Sequence, residues 1–165
     1  QALYLEIIAA KTAELFAAAA EAGAVSAEAD EESAAALRAY GLNLGLAFQL
    51  VDDALDYGGE TATLGKNAGD DFREGKATLP LLLAIQRTGE AEGAFWTRTV
   101  GGRDQAEGDF ARARDLIVSS GALAATLGLA GDYAAQAKAA LGRFPVGPWR
   151  SALDALADFA VSRGA

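Results

Sequence analysis

The sequence predicts an all-α protein, and three observations support this prediction. Alanine and leucine dominate the 165 residues, which include only three prolines, and this composition favours helices. Apolar residues recur every three or four positions along most of the chain, which is the period of a helix with one buried face. No segment alternates convincingly as a strand does. We therefore expect antiparallel helices joined by short loops, in one helical domain segment over residues 1–165.

Two long helices are predicted in the first third of the chain. The first covers residues 2–22 and is expected to stop at Gly23. After a short turn, Asp30 is a suitable N-cap because its side chain can accept from the free N–H groups of a first helical turn. The second helix then runs from Asp30 to about Tyr57.

Gly41 and Gly45 lie four residues apart on one face of the second helix. Each costs up to ~1 kcal/mol relative to alanine in a helix interior. Either the close approach of another helix or the wall of a ligand site would explain them, and close packing is the favoured explanation.

The rest of the chain is a glycine-rich loop followed by further helices. Residues 58–77 are predicted to form this loop, with one helical turn inside it. Thr78 is expected to cap a helix that has Pro80 in its first turn and ends near Thr88. Helical patterns then cover residues 90–100, 104–120, 122–143 and 148–163.

Charge and composition exclude several classes of function. The net charge of −9 argues against a nucleic-acid-binding protein. The chain has no cysteine and no histidine, so it can hold no disulfide, no Ser-His triad and no histidine zinc site. No apolar run approaches the ~20 residues of a membrane span, and no secretory signal is visible, so a cytoplasmic protein is expected. Because methionine is absent and residue 1 already has a helix-interior pattern, we expect a fragment.

Three aspartates stand in the apolar stretch "FQLVDDALDY", residues 48–57. Asp52 and Asp56 share a helix face, Asp53 lies beside them, and Gln49 lies one turn earlier. Because a helix C-terminus is negative, these acids lie where cations are preferred. A solvated acidic face is the ordinary explanation of such a cluster. An external Mg²⁺ is the alternative, since it takes oxygen ligands, keeps several waters and binds substrate phosphates; Mn²⁺ is a second candidate ion.

Lysines decide between these explanations. The chain has only four, and three of them lie in segments close to the acids or on the first helix: Lys11, Lys66 and Lys76. Lysine is a compact charge with three donors, which suits phosphate oxygens. Each lysine alone is better explained as a surface residue. Together with an acidic Mg²⁺ site, they favour a diphosphate ligand.

The segments "KTAELFAAAAEAGA", "YGLNLGLAFQLVDDALDY" and "LGKNAGDDFREGKATLPLLLA" resemble, in order and spacing, the C-terminal half of the trans-isoprenyl diphosphate synthases. The resemblance implies an all-α isoprenoid-synthase fold around a deep cavity, and a homodimer. It implies Mg²⁺-dependent condensation of an allylic diphosphate with isopentenyl diphosphate, through an allylic carbocation. The loop sequence "GKNAGDDFREGKATLPLLLA" is similar to that of long-chain synthases, which make octaprenyl to decaprenyl products for quinone side chains.

The resemblance also implies roles for individual residues. Asp52 corresponds to a metal ligand, and Asp53 and Asp56 to acids that hold metal-bound water. Asp71 corresponds to an acid that orders the lysine loop. The remaining matches concern the allylic substrate: Lys11, Lys66 and Lys76 contact its diphosphate, Gln49 lies near its diphosphate or the cation, and Thr12 helps to stabilise the cation.

The family's first aspartate-rich motif and its isopentenyl diphosphate segment lie upstream and are absent from this sequence. The segment alone is therefore expected to be inactive. Three alternatives stay open: a non-catalytic partner subunit of a heteromeric synthase, a class I terpene cyclase, and a plain helical structural domain. Against the cyclase, no Asn-Ser/Thr-Glu metal motif is found.

Overall fold

The computed structural model describes residues 1–58 and 68–163. All regular elements in these ranges are helical, which confirms the predicted fold class. The α-helices are α1 Ala2–Ile8, α2 Glu14–Ser26, α3 Glu31–Gly58, α4 Asp70–Arg73, α5 Leu79–Thr88, α6 Gly93–Trp96, α7 Asp109–Ser119, α8 Ala122–Ala140 and α9 Pro148–Ser162. Two π-helical turns, Ala9–Ala13 and Thr97–Gly101, and two 3-10 turns, Gly89–Glu92 and Leu141–Arg143, complete the set.

The first predicted helix continues past its expected end. Gly23 lies inside α2, which ends at Ser26, because the Gly23 carbonyl still accepts a hydrogen bond from the Ala27 N–H at 3.2 Å. An exposed glycine inside a helix costs about 1 kcal/mol and does not by itself end it. The predicted N-cap of α3 is confirmed, since the Ser33 N–H donates to Asp30 Oδ1 at 2.6 Å.

Gly41 and Gly45 bring α3 directly onto the backbone of the segment around α2. A Cβ atom at Gly45 would lie 2.6 Å from the Ala13 Cα, and one at Gly41 would lie 2.8 Å from the Ala17 Cα and collide with the Phe16 carbonyl. No real Cβ atom fits at such distances. Close helix packing, the favoured explanation of these glycines, is therefore confirmed.

One later helix start and one predicted cap differ from the sequence prediction. α7 begins at Asp109 and not near 104, because Gly108 has a left-handed φ of 89° and the Asp109 side chain accepts from the Ala106 N–H at 2.7 Å. Thr78 precedes α5 as predicted but makes no side-chain cap. Its buried hydroxyl instead donates to the Tyr57 hydroxyl at 3.5 Å.

Two compact units divide the chain. The acidic unit is formed mainly by Asp52–Leu127, and the terminal unit by Ala2–Val51 and Gly128–Arg163. Both α3 and α8 continue from one unit into the other, so the division does not test the prediction of one domain. The core of the acidic unit includes the aromatic residues Tyr57, Phe72, Phe95 and Trp96. The core of the terminal unit includes Tyr40, Leu44, Leu141 and Ala157.

Within residues 1–58 and 68–163, no single helix has the length and apolarity needed to cross a membrane. Two consecutive helical segments, Asp109–Ser119 and Ala122–Arg143, reach the required length and apolar composition only when they are taken together. They are bent by 61° relative to each other.

Candidate functional site

The three predicted metal acids have different surroundings at the end of α3. Asp52 is half-buried and makes no hydrogen bond or ion pair with any described residue. Asp53 is buried, with 4% of its surface exposed. Asp56 is half-buried and fully engaged by backbone groups. Of these three acids, which look equivalent in the sequence, Asp52 is therefore the one without a partner in residues 1–58 and 68–163.

Asp56 holds the chain segment 69–71, and we call this arrangement the Asp56 cluster. Its Oδ1 accepts from the N–H groups of Gly69 at 3.2 Å and Asp70 at 3.1 Å, while Oδ2 accepts from the Asp71 N–H at 3.1 Å. Burial and the Asp71 charge raise the pKa of Asp56, against the lowering effect of the three N–H donors. Gly69 is required here, because its φ of 87° is left-handed and a Cβ would lie 2.5 Å from the Phe110 ring.

Lys76 is connected to the Asp56 cluster through Asp71. The Lys76 Nζ lies 2.7 Å from Glu74 Oε2 and 3.0 Å from Asp71 Oδ1. Its backbone N–H also donates to the Asp71 carbonyl at 2.8 Å. The hydrogen bonds to Glu74 and then to Asp71 raise the pKa of Lys76, so the side chain stays charged. These contacts agree with the loop-ordering role predicted for Asp71, whereas Lys66 lies outside the described residues.

The cation missing from the end of α3 is supplied partly by Arg114. Its Nε donates to the Tyr57 carbonyl at 2.9 Å, and a cation is favourable at a helix C-terminus. No pattern in the sequence predicts this contact of Arg114. Fifty-seven positions separate the two residues, and no local spacing reveals a pair so far apart.

Asp52 is suited to a shared metal ion. In residues 1–58 and 68–163, no three acidic, histidine or cysteine side chains group closely enough to hold a metal by themselves. Mg²⁺ does not require such a group, since it is usually bound by one or two carboxylates together with waters and substrate phosphates. The half-exposed carboxylate of Asp52 fits this mode of binding. The assignment of Asp53 and Asp56 to the metal stays a prediction.

A second group of predicted residues meets in the terminal unit. Lys11 and Thr12 lie in the π-helical turn Ala9–Ala13, and such turns occur frequently at functional sites. The Thr12 hydroxyl donates to Gln49 Oε1 at 2.8 Å, across 37 positions of sequence. Thr12 is half-buried and Lys11 is exposed. The structure therefore brings together Thr12 and Gln49, which the resemblance assigned to the same substrate.

The comparisons with known proteins identify the family of this chain. The polyprenyl synthetase family model matches residues 1–117, and the chain belongs to that family. It is 42% identical to the octaprenyl diphosphate synthase of Escherichia coli (strain K12) over 160 residues, which are 97% of this chain and 49% of that protein. It is 39% identical to the all-trans-nonaprenyl-diphosphate synthase (geranyl-diphosphate specific) of Rhodobacter capsulatus over 163 residues, 98% of this chain and 49% of that protein.

Solved structures give the same result for the fold. A polyprenyl synthase from Caulobacter crescentus CB15, crystallised with calcium and isoprenyl diphosphate, is 73% identical with a TM-score of 0.96, over 100% of this chain and 50% of that one. A decaprenyl diphosphate synthase from Rhodobacter capsulatus is 47% identical with a TM-score of 0.91, over 98% and 50%. The chain thus spans about half the length of the relatives it matches, as the predicted C-terminal half requires.

Proposed function

We propose that this chain is the C-terminal half of a Mg²⁺-dependent prenyltransferase that condenses an allylic diphosphate with isopentenyl diphosphate and releases diphosphate. The single observation that carries the proposal is the available Asp52 carboxylate, four residues before the Asp56 cluster that positions Lys76. The family match and the calcium and isoprenyl diphosphate of the Caulobacter protein support it.

In this proposal Asp52 holds the metal, and Asp53 and Asp56 support it as outer acids. When bound, Mg²⁺ neutralises charge on the departing diphosphate. Lys11, Lys66 and Lys76 bind diphosphate oxygens with their ammonium groups. This division of work needs no histidine or cysteine, since the chemistry depends on positioning and electrostatic stabilisation.

Lys76 is held ready for this task by its two carboxylate partners. It is half exposed, with Asp71 18% and Glu74 60% exposed. Surface ion pairs of this kind contribute about 0–1 kcal/mol, so a diphosphate can replace Glu74 at little cost. Asp71 is more buried and is itself held by Asp56, so it retains the lysine at the site.

Thr12 and Gln49 act on the organic part of the allylic substrate. Because the Gln49 oxygen accepts the Thr12 hydroxyl hydrogen, the orientation of both side chains is defined. Oriented dipoles of this kind stabilise charge that develops during a reaction without needing to reorganise. We therefore propose that this pair stabilises the allylic cation.

Product length is the finer part of the proposal. The octaprenyl, nonaprenyl and decaprenyl synthases named above are 39–47% identical to this chain. A short chain isoprenyl diphosphate synthase from Methanothermobacter thermautotrophicus is 37% identical. The higher values favour a long-chain product. Incubating the full-length enzyme with labelled isopentenyl diphosphate and measuring product masses tests this, and products of four or fewer isoprene units would contradict it.

A cytoplasmic homodimer is also proposed. One relative, from Schizosaccharomyces pombe, is a decaprenyl-diphosphate synthase subunit 1, 38% identical to this chain, so a heteromeric enzyme is the competing assembly. Sedimentation of the full-length protein purified alone, followed by an activity assay of the dimer peak, separates the two. Activity that appears only after a second polypeptide is added would contradict the homodimer.

The central experiment replaces Asp52 by asparagine in the full-length enzyme. We expect kcat to fall about a hundred- to a thousandfold, as happens when a group that stabilises developing charge is removed. Asp115→Asn is the matched control, because Asp115 is an exposed aspartate on α7. A near-normal rate for Asp52→Asn with saturating Mg²⁺ would rule out the assigned role.

A further inference from the structure

A loop of residues 102–108, which precedes α7, contacts the segment that carries Lys76. The contact is made by Gln105, whose half-buried side chain donates from Nε2 to the Phe72 carbonyl at 2.8 Å. The same nitrogen donates to the Thr99 carbonyl at 3.1 Å. Because an amide nitrogen carries two hydrogens, both are engaged, and the bond to Phe72 spans 33 positions of sequence.

The Phe72 carbonyl that Gln105 contacts belongs to the turn leading to Lys76. This carbonyl also accepts from the Gly75 N–H at 3.0 Å, so its two lone pairs hold one bond within the turn and one from the loop. Gly75 has a left-handed φ of 67°, and Lys76 follows it directly. The bond from Gln105 therefore fastens the turn immediately before Lys76.

Arg103 contacts the same turn from the same loop. A Cβ atom at Gly75 would lie 3.0 Å from the Arg103 Nε and 3.5 Å from its Cδ and Cγ, so the arginine side chain packs against the glycine. Arg103 has a φ of 52°, which is uncommon for a residue other than glycine. The loop thus contacts the turn at two places, one through hydrogen bonding and one through packing.

The loop is itself held by the buried carboxylate of Asp109. This carboxylate accepts from Arg98 Nη1 at 2.8 Å and Nη2 at 2.9 Å, which is a bidentate pair. Its Oδ2 also accepts from the Ala106 N–H at 2.7 Å, and Arg98 Nη1 donates to the Asp104 carbonyl at 2.7 Å. The hydrogen bonds from Arg98 lower the pKa of Asp109 to about 2, so the pair stays charged at neutral pH. The residues on both sides of Gln105 are therefore fixed.

The Asp56 cluster and Gln105 hold different atoms of one segment of the acidic unit. Asp56 accepts from the N–H groups of residues 69–71, whereas Gln105 donates to the carbonyl of residue 72. Asp71 in turn lies 3.0 Å from the Lys76 Nζ. The acids thus orient the ammonium group, and Gln105 fixes the backbone that precedes it.

We propose that Gln105 is a positioning residue for Lys76, acting through the Phe72 carbonyl and the turn at Gly75. The inference rests on the proposed function, in which Lys76 binds the diphosphate of the allylic substrate. A lysine side chain has a flexible stem, so a turn that is already fixed reduces the ordering needed when the anion binds. Gln105 is not a catalytic residue in this proposal, since it acts only through Lys76.

The first test uses Gln105→Glu and Gln105→Ala in the full-length enzyme. Glutamate keeps the shape of the side chain, but its carboxylate cannot donate to the two carbonyl groups; alanine removes both hydrogen bonds without adding charge. We expect both variants to raise the KM for the allylic diphosphate about three- to tenfold, with a smaller change in kcat and the isopentenyl diphosphate KM within about twofold. Gln86→Ala is the matched control, because Gln86 is exposed on α5, and it should change none of these values. An unchanged allylic KM in both Gln105 variants would overturn the proposal.

A double-mutant cycle with Lys76→Ala shows whether Gln105 acts through the lysine. Calorimetric titration with inorganic diphosphate and Mg²⁺ needs no turnover, and Lys76→Ala should weaken this binding because an ammonium donor is lost. Gln105→Ala should weaken it about three- to tenfold when Lys76 is present, and less than about twofold in the Lys76→Ala background. Equal weakening in both backgrounds would indicate a general loss of structure and would overturn the proposal.

Hydrogen exchange separates this proposal from the proposed function. Gln105→Ala should accelerate exchange at Gly75 and Lys76, whose N–H groups donate to the Phe72 and Asp71 carbonyls. If the wild type bound no diphosphate but exchange at these two amides accelerated in the variant, the function would fail and the positioning of Lys76 by Gln105 would stand. Unchanged exchange at both amides would overturn the positioning even if the enzyme were active.

Discussion

Two regions of α3 are held in opposite ways. Near its middle, the backbone of residues 13–17 packs so closely against Gly41 and Gly45 that it occupies the position a Cβ atom would take. We call this the glycine contact. Near its end, the Asp56 cluster fixes residues 69–71 through hydrogen bonds to a charged group. The glycine contact depends on atomic size, and the Asp56 cluster depends on charge and hydrogen-bond donors.

The difference shows how one helix serves both groups of site residues. The glycine contact settles the position of Gln49 relative to Thr12 within the terminal unit. The Asp56 cluster settles the position of Lys76 within the acidic unit. Disrupting each region separately should therefore affect different residues of the proposed site.

The largest effect is expected from Gly41→Ala. A Cβ there collides with backbone atoms of Phe16 and Ala17, which cannot rotate away, so we expect a loss of about 3 kcal/mol in the free energy of unfolding. Gly128→Ala is the matched control, because Gly128 lies in α8 with nothing within 4 Å of a new Cβ. It should stabilise the protein by about 0.5–1 kcal/mol. Urea unfolding measures both, and equal behaviour of the two variants would contradict the close contact.

Asp56→Ala is expected to cost less, about 2 kcal/mol, because three backbone N–H groups lose their acceptor. The effect should be local, and hydrogen exchange should accelerate most at Gly69, Asp70 and Asp71. Asp70→Ala provides the comparison, since it removes only an exposed ion pair with Arg73. If exchange at these three residues stayed at the wild-type rate, Asp56 would not be what orders them.

Thr12→Val should reduce kcat/KM up to about tenfold, which corresponds to the loss of one hydrogen bond of about 1 kcal/mol. Valine keeps the shape of the side chain but cannot donate to Gln49. Thr12→Ser keeps the hydroxyl and should retain most of the activity. Steady-state kinetics of the full-length enzyme would contradict the role of the pair if serine proved as damaging as valine.

The smallest effect concerns pH and separates the two regions. Burial and the Asp71 charge raise the pKa of Asp56, so its contribution to stability is greatest below the unfolded-state pKa of about 3.9 and decreases as pH rises through the higher folded-state pKa. The free energy of unfolding of the wild type should therefore decrease relative to that of Asp56→Asn as pH increases from about 4 towards 7.

The cost of Gly41→Ala should be constant over the same pH range, because no titratable group takes part in the collision. Chemical denaturation at several pH values measures both differences. A pH-independent difference for Asp56→Asn would show that Asp56 does not titrate with the raised pKa.

Much of the fold was predictable because helical periodicity and capping are local. The cap at Asp30 and the existence of α3, α5, α8 and α9 follow from neighbouring residues. The predicted helix end at Gly23 was wrong, because a glycine lowers the stability of a helix but keeps its backbone hydrogen bonds. The predicted start of α7 was also wrong. The left-handed φ of Gly108 and the side-chain contacts of Asp109 determine where the helix begins, and hydrophobic periodicity detects neither of them.

The candidate site was predictable as a set of residues but not as a set of roles. Asp52, Asp53 and Asp56 look alike in the sequence, yet among the described residues only Asp52 has no partner, since Asp53 is buried and Asp56 accepts from backbone donors of residues 69–71. Arg114 carries no local signal for its contact with the Tyr57 carbonyl, because 57 positions separate the two residues.

The sequence by itself determined the helical class, the family resemblance and the residue types of the acidic and basic groups, since these depend on spacing along the chain. The tertiary structure decided which of the three carboxylates has no partner among the described residues and which lysine is held by Asp71 and Glu74. Desolvation and hydrogen bonding between residues distant in sequence determine these properties, and neither is visible until the chain has folded.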